Sequence, residues 1–88
     1  MSEATVPIVN SLGLHARPAA EFVKTSARFK CSVIVRKDAL EVNGKSIMGM
    51  MMLAAERGSE LFIRADGEDA EEALAALVAL IAAGFNEE

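Results

Sequence analysis

Histidine occurs once in the chain, as His15, in the stretch GLHARPAAEF spanning residues 13–22, after a glycine turn and before an Arg-Pro pair that opens a helix. By residue type alone, a lone histidine near a helix start reads as a cap or a surface group. Its position argues for chemistry. With His15 just ahead of the first helical residue, the N–H groups of Ala16 and Arg17 have no intrahelical acceptor and point toward whatever the ring carries, which makes an anion site. Pro18 in the first turn gives up no helical hydrogen bond, but a residue before proline resists the α region, so Arg17 is expected at the edge of the helix. A positive helix end disfavours imidazolium and leaves a neutral, nucleophilic ring, and the same end stabilises a dianion attached to that ring. The dipole supplies about 0.3–1 kcal/mol, enough to tune such a group and too little to drive its chemistry. Arg17 adds a guanidinium fork able to hold two phosphoryl oxygens. Neutral imidazole, free amides and an arginine together suit acceptance of a phosphoryl group on His15. No magnesium-binding carboxylate cluster and no nucleotide loop stands beside the histidine, so an enzyme partner must activate the phosphoryl donor.

Ser46 is a second candidate. The GKS at 44–46 lacks the glycine that a phosphate-binding P-loop carries five places before Gly44, where this chain has Ala39. Ser46 is a fitting N-cap for a short helix, IMGMMMLAAER, which Gly58 ends. On that helix Ile47, Met48 and Met51 share a face, while Met50 and Leu53 lie round from them. Such a stripe usually belongs to a core, yet a short helix cannot bury every side, and exposed methionines form an adaptable contact surface. Arg17, Lys24 and Arg28 make a basic stripe suited to steering acidic partners, with Glu21 on the same side within reach of Arg17 or Lys24.

These groups need a scaffold, and 88 residues suit one domain, 1–88, with one core. Apolar residues make up 52% and charged residues 25%, which is the composition of a folded chain. A single cysteine, Cys31, excludes an internal disulfide and a multi-cysteine zinc site, and reads as a small buried hydrophobe in a reducing compartment. No metal and no cofactor is expected. The start, MSEATVPIVN, has neither a basic nor a long apolar stretch, so no signal peptide is expected. The longest run without a polar residue, Ala73 to Phe85, falls short of the roughly 18 residues of a membrane span, which makes the cytoplasm the expected location. Net charge is -4, divided as +3 over residues 1–45 and -7 over residues 46–88. That balance argues against nucleic acid as a partner, and the basic surplus around His15 points to an anionic group or an acidic protein surface.

The elements follow from pattern. Residues 3–9 read as an edge strand, because Pro7 cannot donate to a ladder. Helical spacing runs from Ala16 to about Arg28, and strands follow at 31–37 and 40–43, the second ended by the Asn-Gly signal at 43 and 44. After the Ser46 helix comes a strand at 59–66. Asp69 with Glu72 forms a capping-box pattern for a last helix to about Ala83, with Leu74, Leu77, Val78 and Ile81 on one face and Gly84 as its stop. The order βαββαβα predicts an α+β open-faced sandwich, an antiparallel sheet covered on one face by helices.

LGLHARPAAEFV, then GKSIMGMMML, then GEDAEEALAAL together closely resemble the HPr family, the histidine-containing phosphocarriers of the bacterial phosphoenolpyruvate-dependent sugar phosphotransferase system, over essentially the whole chain. The resemblance implies a four-stranded antiparallel sheet under three helices. It implies that His15 takes a phosphoryl group on a ring nitrogen from enzyme I and passes it to a sugar-specific enzyme IIA, with Arg17 beside the phosphohistidine and Pro18 as the family proline. Ala16, Ala20, Lys24, Ile47, Met48 and Met51 match positions of the docking face for enzyme I and enzyme IIA domains. Ser46 matches the serine that HPr kinase/phosphorylase modifies in many Gram-positive bacteria, a change read by a catabolite-control repressor. Glu87 and Glu88 match the C-terminal region whose carboxylate can approach Arg17.

A carrier for sugar uptake has two rivals: a regulatory relative in a nitrogen-linked branch of the same relay, and an α+β interaction module whose histidine is never phosphorylated. The chain is expected to act as a monomer, without catalysis of its own.

Overall fold

The structure is a computed structural model and describes residues 1–87. Its elements are β1 (Ser2–Pro7), α1 (Ala16–Ser26), β2 (Ser32–Lys37), β3 (Leu40–Asn43), α2 (Ile47–Met52), β4 (Glu60–Asp66) and α3 (Ala70–Ala82), followed by a 3-10 turn at Gly84–Asn86. The strands form one antiparallel sheet in the order β1-β4-β2-β3, with Val35 opposite Ile63 and Val6 opposite Leu61. Pro7 lies on the edge strand β1, where its missing N–H breaks no ladder between two neighbours. This is the expected open-faced sandwich.

Strand alternation divides the sheet into two faces. Val6, Val33, Val35, Leu61, Ile63 and Ala65 point inward and are buried with Phe22 of α1, Met50 of α2 and Leu77 and Ile81 of α3. Their neighbours point outward: Thr5, Phe62 and Arg36 are in register across three strands, and the Arg36 guanidinium sits 4.5 Å from the Phe62 ring centroid. One apolar and one polar face is what an antiparallel sheet covered on a single side requires.

Two helix ends differ from the sequence expectation, and each has a structural cause. α1 stops at Ser26 rather than near Arg28, because the fully buried Ser26 hydroxyl donates to Gly44 O at 2.8 Å and ties the helix end to the loop before α2. α2 stops at Met52 instead of continuing to Gly58. Ala54 turns left-handed at φ 49°, and the following backbone bonds elsewhere: Ala55 O accepts the Leu14 N–H at 2.8 Å and Gly58 N–H donates to Ile8 O at 2.9 Å. The segment after α2 thus braces the loop that carries His15.

The capping box at Asp69 does not form. Asp69 is the N-cap of α3, yet its side chain makes no capping bond and instead accepts the backbone N–H groups of Lys30, at 2.8 Å, and Cys31, at 2.9 Å. These bonds hold its carboxyl below the usual carboxylate range, the Lys30 amide contributing most. Burial, assisted by Asp69, pushes the Cys31 thiol up, so the cysteine is the small buried hydrophobe expected of it.

Candidate functional site

The loop from β1 to α1 sets the histidine. Gly13 takes φ +69°, and a Cβ there would lie 2.5 Å from Ala55 O, so only glycine fits against the brace after α2. Leu14 is buried next to it and His15 N–H donates to Gly13 O at 3.0 Å. His15 is the N-cap of α1, with extended backbone (φ -87°, ψ -169°), and its carbonyl accepts the first helical bond, from Ala19 N–H, at 3.0 Å. Its side chain makes no capping bond. The ring is free for other work, 37% exposed, while the first-turn amides of Ala16 and Arg17 have no intrahelical acceptor.

Arg17 lies within α1 as its second residue, not at its edge: Pro18 supplies a helical φ and is buried, and the restriction it places on Arg17 is overcome by the turn that His15 O closes. The Arg17 side chain is exposed and lines an open cleft of about 350 Å³ with Glu21, Phe85, Asn86 and Glu87. Glu21 pairs with neither Arg17 nor Lys24 among the described residues.

Glu87 shares the cleft with Arg17, but its side-chain carboxylate has another partner. It pairs with His15 rather than Arg17: Glu87 Oε2 is 3.1 Å and Oε1 3.3 Å from His15 Nε2. Glu88 lies outside the described residues. The chain reaches this position through three successive left-handed residues, Gly84 (φ 65°), Phe85 (φ 57°) and Asn86 (φ 61°), with Phe85 buried. Left-handed backbone costs a non-glycine residue about 1–2 kcal/mol, so the turn is held by its packing. A second residue also escaped the sequence reading. Asn10, 2% exposed, donates from Nδ2 to Gly13 O at 2.8 Å and to Glu87 Oε1 at 2.9 Å. Its neighbours Ser11 and Gly13 signal only a turn, and nothing local announces a contact across 77 residues.

Ser46 is the N-cap of α2, its Oγ accepting the Gly49 N–H at 3.0 Å. Ile47, Met48 and Met51 are exposed, Met48 at 77%, while Met50 is fully buried and Leu53 nearly so, as the helical spacing predicts. Met52 and Leu12 are exposed too and were not singled out; the spacing of Met52 from Met48, one helical turn, was the available signal for the former. Lys24 is exposed on α1 with Ala20 partly exposed, whereas Arg28 lies beyond the helix end, its guanidinium 5.7 Å from the Phe29 ring centroid. A larger cleft, about 670 Å³, opens beside Arg36, Asp38 and Glu60 and shares no lining residue with the histidine site.

An accessible imidazole at a helix N-cap that it does not cap, beside free amides and an exposed arginine, is arranged for a reacting group. The family model described as the PTS HPr component phosphorylation site matches residues 2–83. The chain belongs to the HPr family. It is 47% identical over 87 residues to the phosphocarrier protein HPr of Neisseria meningitidis serogroup A, covering 99% of this chain and 98% of that one. The solved HPr-C-His from Thermoanaerobacter tengcongensis matches with a TM-score of 0.96 at 50% identity over 100% of this chain and 99% of that one. An HPr dimer from the same organism matches with a TM-score of 0.79 at 49% identity, covering 99% and 100%. As an HPr protein, the chain is a phosphocarrier of the phosphotransferase system, and so serves sugar transport as a carrier rather than a catalyst. Among the described residues, no helix is long and apolar enough to cross a membrane.

Proposed function

We propose that His15 accepts a phosphoryl group from phosphorylated enzyme I and donates it to enzyme IIA domains, the whole chain acting as one HPr domain in the cytoplasm. The observation that carries this is the placement of His15 at the N-cap of α1, its ring unused for capping, beside the free amides of Ala16 and Arg17. Glu87 engages Nε2, which leaves Nδ1 as the nitrogen with an available lone pair. A phosphoryl group on that nitrogen would meet the first-turn amides and the Arg17 guanidinium, with Pro18 fixing the backbone between them. Ala16, Ala20, Lys24, Ile47, Met48 and Met51 form the docking face in this reading, and the chain works as a monomer; a solution mass of two chains overturns that last part.

Ser46 is the regulatory position of the same proposal. A phosphate there adds a charge of about -1.5 to -2 next to the exposed methionines and repels acidic docking surfaces, which is how a kinase/phosphorylase and a catabolite-control repressor would act on the carrier.

The test is incubation of the full chain with phosphoenolpyruvate and enzyme I, followed by mass analysis and NMR assignment of the modified nitrogen. An acid-labile phosphoryl group on His15 is expected, and it is lost in His15→Ala. Because His15 makes no capping bond, that variant keeps α1 and a cooperative unfolding transition. Failure of the wild-type chain to take up phosphoryl groups, or labelling that persists in His15→Ala, overturns the proposal.

A further inference from the structure

We infer that Glu87, held by Asn10, is a positioning residue that keeps the proton of His15 on Nε2 and so assigns Nδ1 as the nucleophile; this rests on the phosphocarrier reading above. The geometry comes from both ends of the chain. Both Glu87 oxygens lie within 3.3 Å of Nε2, and Oε1 also accepts the Asn10 side-chain N–H at 2.9 Å. Asn10 is itself oriented by its second donor bond, to Gly13 O at 2.8 Å, in the loop that sets the histidine backbone. Its Oδ1 is buried and has no partner among the described residues. The amide thus spends both donors on holding Gly13 and Glu87 and leaves its own acceptor unmet, an arrangement that favours the position of the carboxylate over local satisfaction. The left-handed turn at 84–86, anchored by buried Phe85, delivers Glu87 to this point.

The consequence for transfer is a proton that does not move. The Nδ1 lone pair attacks phosphorus; the Nδ1–P bond forms as the bond between phosphorus and the donor atom of phosphorylated enzyme I breaks, and that electron pair returns to the donor. The ring acquires positive charge while keeping its Nε2–H, and the Glu87 carboxylate faces that charge. On the way out, the Nδ1–P bond breaks toward the acceptor and its electron pair stays on Nδ1, restoring the same neutral tautomer. Carboxylate and phosphoryl dianion sit on opposite ring nitrogens, so they do not compete for one position. A carboxylate that orients a metal-binding imidazole through its other nitrogen is worth roughly 10- to 100-fold, and the same scale is expected for an imidazole that must present one nitrogen to phosphorus.

The test compares the full wild-type chain with Glu87→Ala and Glu87→Gln. Nitrogen-15 shifts of the neutral His15 ring are expected to show the Nε2–H tautomer in wild type, a mixture in Glu87→Ala, and recovery in Glu87→Gln, whose carbonyl still accepts the hydrogen bond. Transfer from phosphorylated enzyme I is expected to lose roughly 10- to 100-fold in kcat in Glu87→Ala, with KM little changed, and Glu87→Gln should regain part of it. A wild-type ring with its proton on Nδ1, or a Glu87→Ala chain with unchanged tautomer or wild-type kcat, overturns the inference. If the wild-type chain takes up no phosphoryl group, the carrier reading fails, and the tautomer measurement still decides the role of Glu87.

Discussion

The Asp69 carboxylate accepts the backbone N–H of Cys31 at 2.9 Å and so joins the start of α3 to the chain entering β2. With the Lys30 amide at 2.8 Å, this bond depresses the folded-state pKa of Asp69 below its unfolded value. A depressed carboxyl stabilises the fold at pH above its unfolded value of about 3.9, and that contribution is lost as pH falls through the lower folded value. Urea titrations at a series of pH values are therefore expected to show Asp69→Asn less stable than wild type near neutrality, with the gap closing below about pH 4. A gap independent of pH would mean that the carboxylate charge contributes nothing.

How much of this was legible beforehand divides along range. His15 at the helix start, Ser46 as a cap and the separation of Met48 from Met50 onto different faces all follow from spacing within one turn, where chain geometry settles which residues share a side. Asp69 shows the limit: its capping-box pattern with Glu72 is a local signal, and two distant amides outcompeted it. Asn10 and Glu87 were out of reach for the same reason, since their meeting depends on the successive left-handed residues at Phe85 and Asn86, which carry no glycine signal. The end of α2 failed similarly, because Ala54 is a good helix former overruled by backbone bonds to the His15 loop.

Ser46 separates structure from regulation. Its Oγ accepts a single amide, that of Gly49, so Ser46→Ala is expected to cost about 1 kcal/mol in urea unfolding. Ser46→Asp preserves a capping acceptor and should recover most of that loss while raising the KM for transfer from phosphorylated enzyme I. Equal KM values for Ser46→Asp and wild type would remove charge at this site as a means of control.

The two methionines at 48 and 50 make a matched pair on one short helix. Met48→Ala removes an exposed side chain and should change stability by less than about 0.5 kcal/mol while weakening capture of enzyme I. Met50→Ala opens a cavity in the core and should cost about 2–5 kcal/mol, read from the urea midpoint, with transfer normal in the molecules that remain folded. Reversal of the two effects would place the docking face elsewhere.

Arg17 and Lys24 are both exposed cations on α1, and the proposed roles predict different salt behaviour for them. Lys24 acts at a distance, by attracting an acidic partner, and such attraction is screened beyond about 8 Å at physiological ionic strength. Lys24→Gln should therefore lower kcat/KM for transfer from enzyme I at low salt, with the deficit shrinking as salt is added. Arg17 instead presents a planar fork to the transferred group, over a contact too short for salt to screen strongly. Arg17→Lys keeps the charge but loses the fork, so its expected deficit is in kcat and persists at high salt. Parallel salt series on the two variants measure this directly: a deficit in Arg17→Lys that disappears with salt would make Arg17 another steering charge, and the phosphoryl group would then be held by the backbone amides alone.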